Sequence, residues 1–222
     1  MRLTATSIAA LKPAAQNTAT RAAKSNQTSF PALPKCPDLM PVPQVSPVIK
    51  RPKTRPRSRR QTFRSGDVLG TALLSACGTY RYRLTRSWGP GDHVVFIGLN
   101  PSTADAALDD PTIRRCSNFA RSWGFDGLIM LNAWAFRSTQ PRQLLLTPDP
   151  NGPRNNHIIR QTCRHATLVI AAWGNHCPPD RQTQLIQLTG PLHCIARNSN
   201  GQPAHPLYLK STLQPQPWAI RR

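Results

Sequence analysis

Val94-Val95-Phe96-Ile97 is the segment that most narrows what this chain can fold into. No polar residue interrupts it, so a strand built from it has both faces covered, as strands of a parallel sheet do. It ends at Gly98-Leu99-Asn100-Pro101, and a helix follows. Asp110 stands at the N-cap and Pro111 at the first helical position, with Ile113, Cys116, Phe119, Ala120 and Trp123 at helical spacing and Gly124 as the stop. The alternation then repeats: a strand from Leu128 to Ala135, a helix from Asn155 to His165, a strand from Leu168 to Trp173, a helix from Asp180 to Leu188, and a strand from Pro191 to Ala196. A turn at Asn198 to Gln202 leads into Ala204-His205-Pro206-Leu207. Upstream, Tyr80, Tyr82 and Leu84 alternate with Arg81, Arg83 and Thr85, and Gly89-Pro90-Gly91-Asp92 leads to His93. That pattern predicts a β-hairpin with Arg81 and Arg83 on one solvent face. The expected fold class is α/β: three layers, α/β/α, around a central four-stranded parallel sheet preceded by the hairpin.

The chain divides near residue 70. Residues 1–70 hold 13 of the 29 Lys and Arg, 9 of the 23 Pro and only two aromatics, Phe30 and Phe63. Such a composition cannot bury enough apolar surface to offset the entropy of ordering, so a disordered, basic, Pro-rich tail is expected over 1–70 and an α/β domain over 71–222. Eight of the fifteen residues from Lys50 to Arg64 are basic. They read as an extended cationic arm in which Lys50, Arg51, Arg59 and Arg60 meet nucleic-acid phosphates. A solvated linker, residues upstream of the true start, or an organelle transit peptide are the other readings of that stretch.

Charge and cysteine usage restrict function. The formal net charge is +20, which favours polyanionic partners. All nine acidic residues are Asp, so mechanisms that need a catalytic glutamate are excluded. No apolar run approaches the roughly 20 residues that cross a bilayer, and no signal-peptide core precedes the six cysteines. They show no C-x2-C pair and read as reduced thiols in a soluble, cytoplasmic protein without metal or other cofactor.

Ligands of open α/β sheets bind outside the carboxyl ends of the strands. Strand one delivers Asn100, Pro101, Ser102 and Asp105, strand two Asn132 with Arg137 beyond it, strand three Trp173, Asn175 and His176, and strand four His205. Three carboxamides, two imidazoles and a tryptophan suit hydrogen bonding and stacking of a flat heterocycle, as when a nucleobase is read outside its stack. Arg114 on the first helix and Arg137 are candidate phosphate contacts, though a solvated helix surface explains Arg114 equally. Asp110 reads as a helix cap.

Four segments carry a resemblance: Leu99 to Asp105, Asp109 to Arg115, Trp173 to His176, and His205 to Tyr208. Through them, the chain from Tyr80 to Trp218 resembles an uncharacterised, mainly bacterial domain-of-unknown-function family, number 1643. More distantly, Gly98-Leu99-Asn100-Pro101, Leu131-Asn132-Ala133, Trp173-Gly174-Asn175-His176 and His205-Pro206 are similar, in order, to motifs of the uracil-DNA glycosylase superfamily. That likeness implies the superfamily's sheet and cleavage of an N-glycosidic bond in DNA or a nucleotide. Asn100 would orient the water, His205 would donate to the departing base, and Asn132 would read the base edge. An amide cannot deprotonate water well, so Asp105 or Asp109 would supply any carboxylate. Leu207-Tyr208 replaces the superfamily's Ser-Pro, which puts duplex pinching in doubt. A nucleic-acid-binding protein without chemistry, and a hydrolase or transferase acting on a modified nucleotide, are the alternatives.

Overall fold

A computed structural model describes residues 58–140 and 142–220. The expected contacts of Lys50 and Arg51 lie outside them. Eight strands form one mixed sheet in the order β1-β2-β3-β5-β4-β6-β7-β8. They are β1 (Ser58–Ser65), β2 (Val68–Ser75), β3 (Arg81–Ser87), β4 (His93–Gly98), β5 (Gly127–Asn132), β6 (Val169–Ala171), β7 (Leu192–Cys194) and β8 (Gln216–Trp218). The helices are α1 (Pro111–Ser122), the short α2 (Gln143–Leu146), α3 (Asn155–Cys163) and α4 (Pro179–Thr189). Four neighbouring strands, β5-β4-β6-β7, run parallel. Antiparallel strands widen the sheet to twice the expected number: β1, β2 and β3 on one side, β8 on the other. No helix among the described residues is long and apolar enough to cross a membrane.

Helices cover both faces, and β4 explains why. Val94 and Phe96 pack with Ile113, Cys116 and Phe119 of α1, whereas Val95 and Ile97 pack with Ile158 and Ile159 of α3 and Leu185 and Leu188 of α4. All four β4 side chains are at most 1% exposed. Full burial of each such side chain contributes about 1.5–3 kcal/mol. Helix α1 starts as its sequence predicts, with the Asp110 carboxylate accepting from the Ile113 N–H at 2.8 Å.

Three expectations are corrected. The strand after Gly89-Pro90-Gly91-Asp92 does not fold back on β3, because β5 lies between them. The glycine-rich segment is an arch over the entrance of β5: Trp88 N–H donates to Asp126 O at 2.9 Å, and Gly91 N–H to Asp126 Oδ2 at 2.7 Å. A Cβ on Gly89 would lie 2.4 Å from Asp126 Cγ, so the close approach needs glycine there. The hairpin that opens the domain is instead β1–β2, closed at Gly66-Asp67 and paired from Ser58↔Ser75 to Ser65↔Val68.

The tail boundary at 70 is corrected with it, since Ser58 to Ser65 and Val68 to Gly70 stand in the sheet. Composition hid β1 because it is an edge strand, exposed on nearly every residue, and edge strands are rich in charge. Arg59 and Arg60 therefore project from a strand rather than from a free arm.

The shared solvent face of Arg81 and Arg83 is the third correction. The ladder shifts register between Leu73 and Leu74, which face Arg83 and Arg81, leaving Tyr82 as an extra residue on β3. Alternation resets at that bulge. Tyr82 joins the α3/α4 side of the core, Leu84 the α1 side, and Arg81 becomes buried at 2% exposure.

Candidate functional site

The carboxyl ends of the parallel strands surround a cavity of about 270 Å³. Asn100 follows β4, Asn132 ends β5, Trp173 and His176 follow β6, and His205 follows β7; all line it, together with Ser102, Asp110, Thr112 and Arg81. The volume lies just below the ~300–1,000 Å³ usual for pockets that take drug-sized ligands, which suits a single ring system. A second, more apolar cleft of about 590 Å³ adjoins it, sharing Leu99 and His176 and walled by Trp134, Leu144 and Pro150.

Each amide is oriented by its neighbours. Asn100 Nδ2 donates to Ser138 O at 2.8 Å and Pro101 O at 3.1 Å, which leaves Oδ1 as an acceptor for a ligand or water. Asn132 is 4% exposed, and its Oδ1 accepts from Arg81 Nη2 at 3.3 Å, so Nδ2 is the group left to donate. Gly98 makes room for that group: a Cβ there would sit 3.0 Å from Asn132 Nδ2. Behind the cavity, Asn155 Nδ2 donates to the carbonyls of Asn132 and Ala133, fixing the strand end.

His205 is half-buried in the cavity wall. Its Nδ1 accepts from Leu207 N–H at 3.4 Å, which assigns the proton of the neutral ring to Nε2. Burial pushes its pKa below the usual 6.5, and the negative charge of Asp110 acts the other way; the net direction is down. The ring is therefore a neutral donor at pH 7. Gly174 holds the adjoining turn at φ +72°, a conformation that favours glycine.

Trp173 is 1% exposed and held edge-to-face by Trp218, with centroids 5.2 Å apart at 88°. It is a wall of the cavity and leaves almost no ring surface on which a heterocycle could stack. Asn175 is outside the lining; it is exposed, and its Oδ1 accepts from Asn198 Nδ2 at 2.6 Å. Pro101 is buried, does not line the cavity, and shapes the loop through its carbonyl, which accepts from Ser138 N–H at 2.9 Å.

The acids of the loop before α1 separate by role. Asp105 Oδ1 accepts from the N–H groups of Ala107 and Leu108, both at 2.9 Å, and does not line the cavity. Desolvation pushes its pKa up, but those bonds together with the positive charges of Arg137 and Arg86 outweigh it and the net direction is down. Asp109 pairs with Arg86 at 2.6 Å, and Arg86 also ties down the carbonyls of Asp105 and Leu108. Asp110 alone of the three reaches the cavity, while capping α1.

The remaining candidates lie elsewhere. Arg114 is exposed on α1 and donates to Asp109 O at 2.6 Å; Arg137 donates to Gly78 O at 3.3 Å. Arg59 and Arg60 are exposed on β1. Among the described residues, no three His, Cys or Asp side chains gather as metal ligands would. Sequence reasoning missed Arg81, whose bulge has no signature, and Ser138 and Thr139, which lie six and seven residues beyond the end of β5.

The fold and site thus define an α/β domain with a small cavity, part apolar and part polar, at the ends of its parallel strands. Over residues 81–207, more than half of the chain, it matches the family described as Protein of unknown function (DUF1643), and it belongs to that family. No curated protein matches it, and no solved structure does. The comparisons establish the family and add no support for the likeness to uracil-DNA glycosylases.

Proposed function

We propose that the protein is a nucleobase-recognising N-glycosidic hydrolase acting on DNA or a nucleotide. The observation that carries this reading is that Asn100, Asn132 and His205, from three different strand ends, line one cavity sized for a single ring system. Breaking an N-glycosidic bond builds positive charge on the sugar and negative charge on the departing base. A neutral His205 N–H donates to the base as that charge develops, the Asn132 amide holds an oxo group of its edge, and Asn100 Oδ1 accepts from the attacking water. Asp110 replaces Asp105 and Asp109 as the nearby carboxylate. The rest of the substrate extends into the adjoining apolar cleft. A cytoplasmic setting fits the five free thiols among the described cysteines.

A second reading, nucleic-acid binding without chemistry, is favoured by one observation. Arg60 and Arg64 share a face of the edge strand, and Arg60, Leu73 and Arg83 form one cross-strand row, a basic surface apart from the cavity. Incubating the full chain with DNA carrying uracil, mismatched and modified bases, and with free nucleosides, then measuring released base by mass spectrometry, decides between them. Release of a base supports the hydrolase; binding with no release across the panel supports the second reading.

A further inference from the structure

The bulge in β3 leaves a positive charge beside the cavity with no acid in contact with it, the carboxylates of Asp110 and Asp105 acting on it only from more than 4 Å away. Among the described residues, the ion pair within 4 Å is Arg86–Asp109, and Arg81 has no such partner. Its guanidinium carries five N–H donors. Nη1 donates to Ala104 O at 2.7 Å, Nη2 to Asn132 Oδ1 at 3.3 Å, and Nε is buried without a partner. Burial lowers its pKa to about 10, so it keeps its charge at neutral pH. A buried charge is costly unless it is paired, and a protein with 9 acids against 29 Lys and Arg has few to offer.

Other residues of the cavity lining also hold unfilled neutral donors. Trp173 Nε1 is buried with no partner, although Trp173 lines the cavity. Asn132 has spent its oxygen on Arg81 and presents its amide N–H groups. The acceptors of the lining are Asn100 Oδ1 and the Asp110 carboxylate, which already takes the Ile113 N–H, while the hydroxyls of Ser102, Thr112 and Thr139 can donate as well as accept. A wall with a buried cation and spare N–H donors is complementary to an oxyanion.

We propose that the floor of the cavity is an oxyanion-binding site built on Arg81, with the Trp173 indole N–H and the Asn132 amide as its neutral donors. The proposal rests on the cavity of the preceding reading and not on its chemistry. Two sources supply such an oxyanion: a phosphate group, or the ionised oxo group of a base.

Isothermal titration of the full chain at raised salt, which screens the general attraction of a +20 surface, separates them. The probes are inorganic phosphate, 5-nitrouracil as an anionic base, and uracil as its neutral counterpart. The expected result is saturable binding of one anion at least tenfold tighter than uracil; which anion binds names the source. Arg81→Met lowers that affinity at least tenfold. Trp173→Phe, which keeps a ring against Trp218 and removes the N–H, lowers it severalfold and carries the comparison if Arg81→Met fails to fold. Equal binding of anions and uracil, or anion affinity unchanged in the folded variants, overturns the proposal. Anion binding without base release would defeat the hydrolase reading alone, and base release without anion preference would defeat this one alone.

Discussion

Asp110 shows how one side chain serves the fold and faces the cavity together. Its carboxylate caps α1 and lines the space beside His205. Asn caps helices as well as Asp does, so Asp110→Asn should leave thermal stability near wild type, whereas Asp110→Ala should cost about 1 kcal/mol. Thermal unfolding of the two variants checks this. His205 carries a pH dependence of known sign. Its folded pKa lies below the ordinary 6.5, so as pH falls below about 6.5 the unfolded chain takes up a proton that the folded chain resists. Stability due to His205 is present above that pH and is lost as pH falls toward the folded pKa. Denaturant titrations from pH 7.5 to 5 should show a shallower decline in His205→Gln than in wild type; parallel declines would contradict the assignment.

At the scale of elements, the parts legible in the sequence were those with local signals. Asp110-Pro111 announced α1, and the unbroken Val94 to Ile97 announced a strand buried on both faces. What stayed hidden depended on distant partners. β4 pairs with β5, nearly thirty residues later, so a glycine-rich arch looks locally like a hairpin turn. The bulge at Tyr82 depends on how β2 pairs, and it turned an apparently solvent-facing arginine into the cavity floor. The site was legible to the extent that it sits at strand ends: Asn100, Asn132, Trp173 and His205 were found there, while Asn175 sits beside the right turn and faces away. The boundary of the domain carries its own prediction. A chain begun at residue 71 loses β1 and the first turn-side residues of β2, baring an edge that holds Leu73 and Leu74. It should unfold at lower temperature and aggregate sooner than a chain begun at residue 58; coincident transitions would show that β1 adds nothing to the fold.

For the whole molecule, charge and cavity make separable contributions. A +20 charge favours polyanions generally, and the exposed arginines of β1 would give such an attraction a location distinct from the strand ends. If DNA or RNA lies across this edge, the dependence of log affinity on log salt should become shallower by about one for each phosphate contact removed in Arg60→Ala and Arg64→Ala. An unchanged slope would place the nucleic acid elsewhere. The chemistry, in contrast, should ignore the edge. The most direct measurement is therefore single-turnover base release, on whichever substrate the full chain cleaves, by wild type, Asn100→Ala, His205→Ala and the Arg60→Ala/Arg64→Ala pair. The account predicts that each cavity variant slows release by about 100-fold or more, while the edge pair releases base at the wild-type rate once substrate is saturating. Wild-type rates in both cavity variants would contradict it.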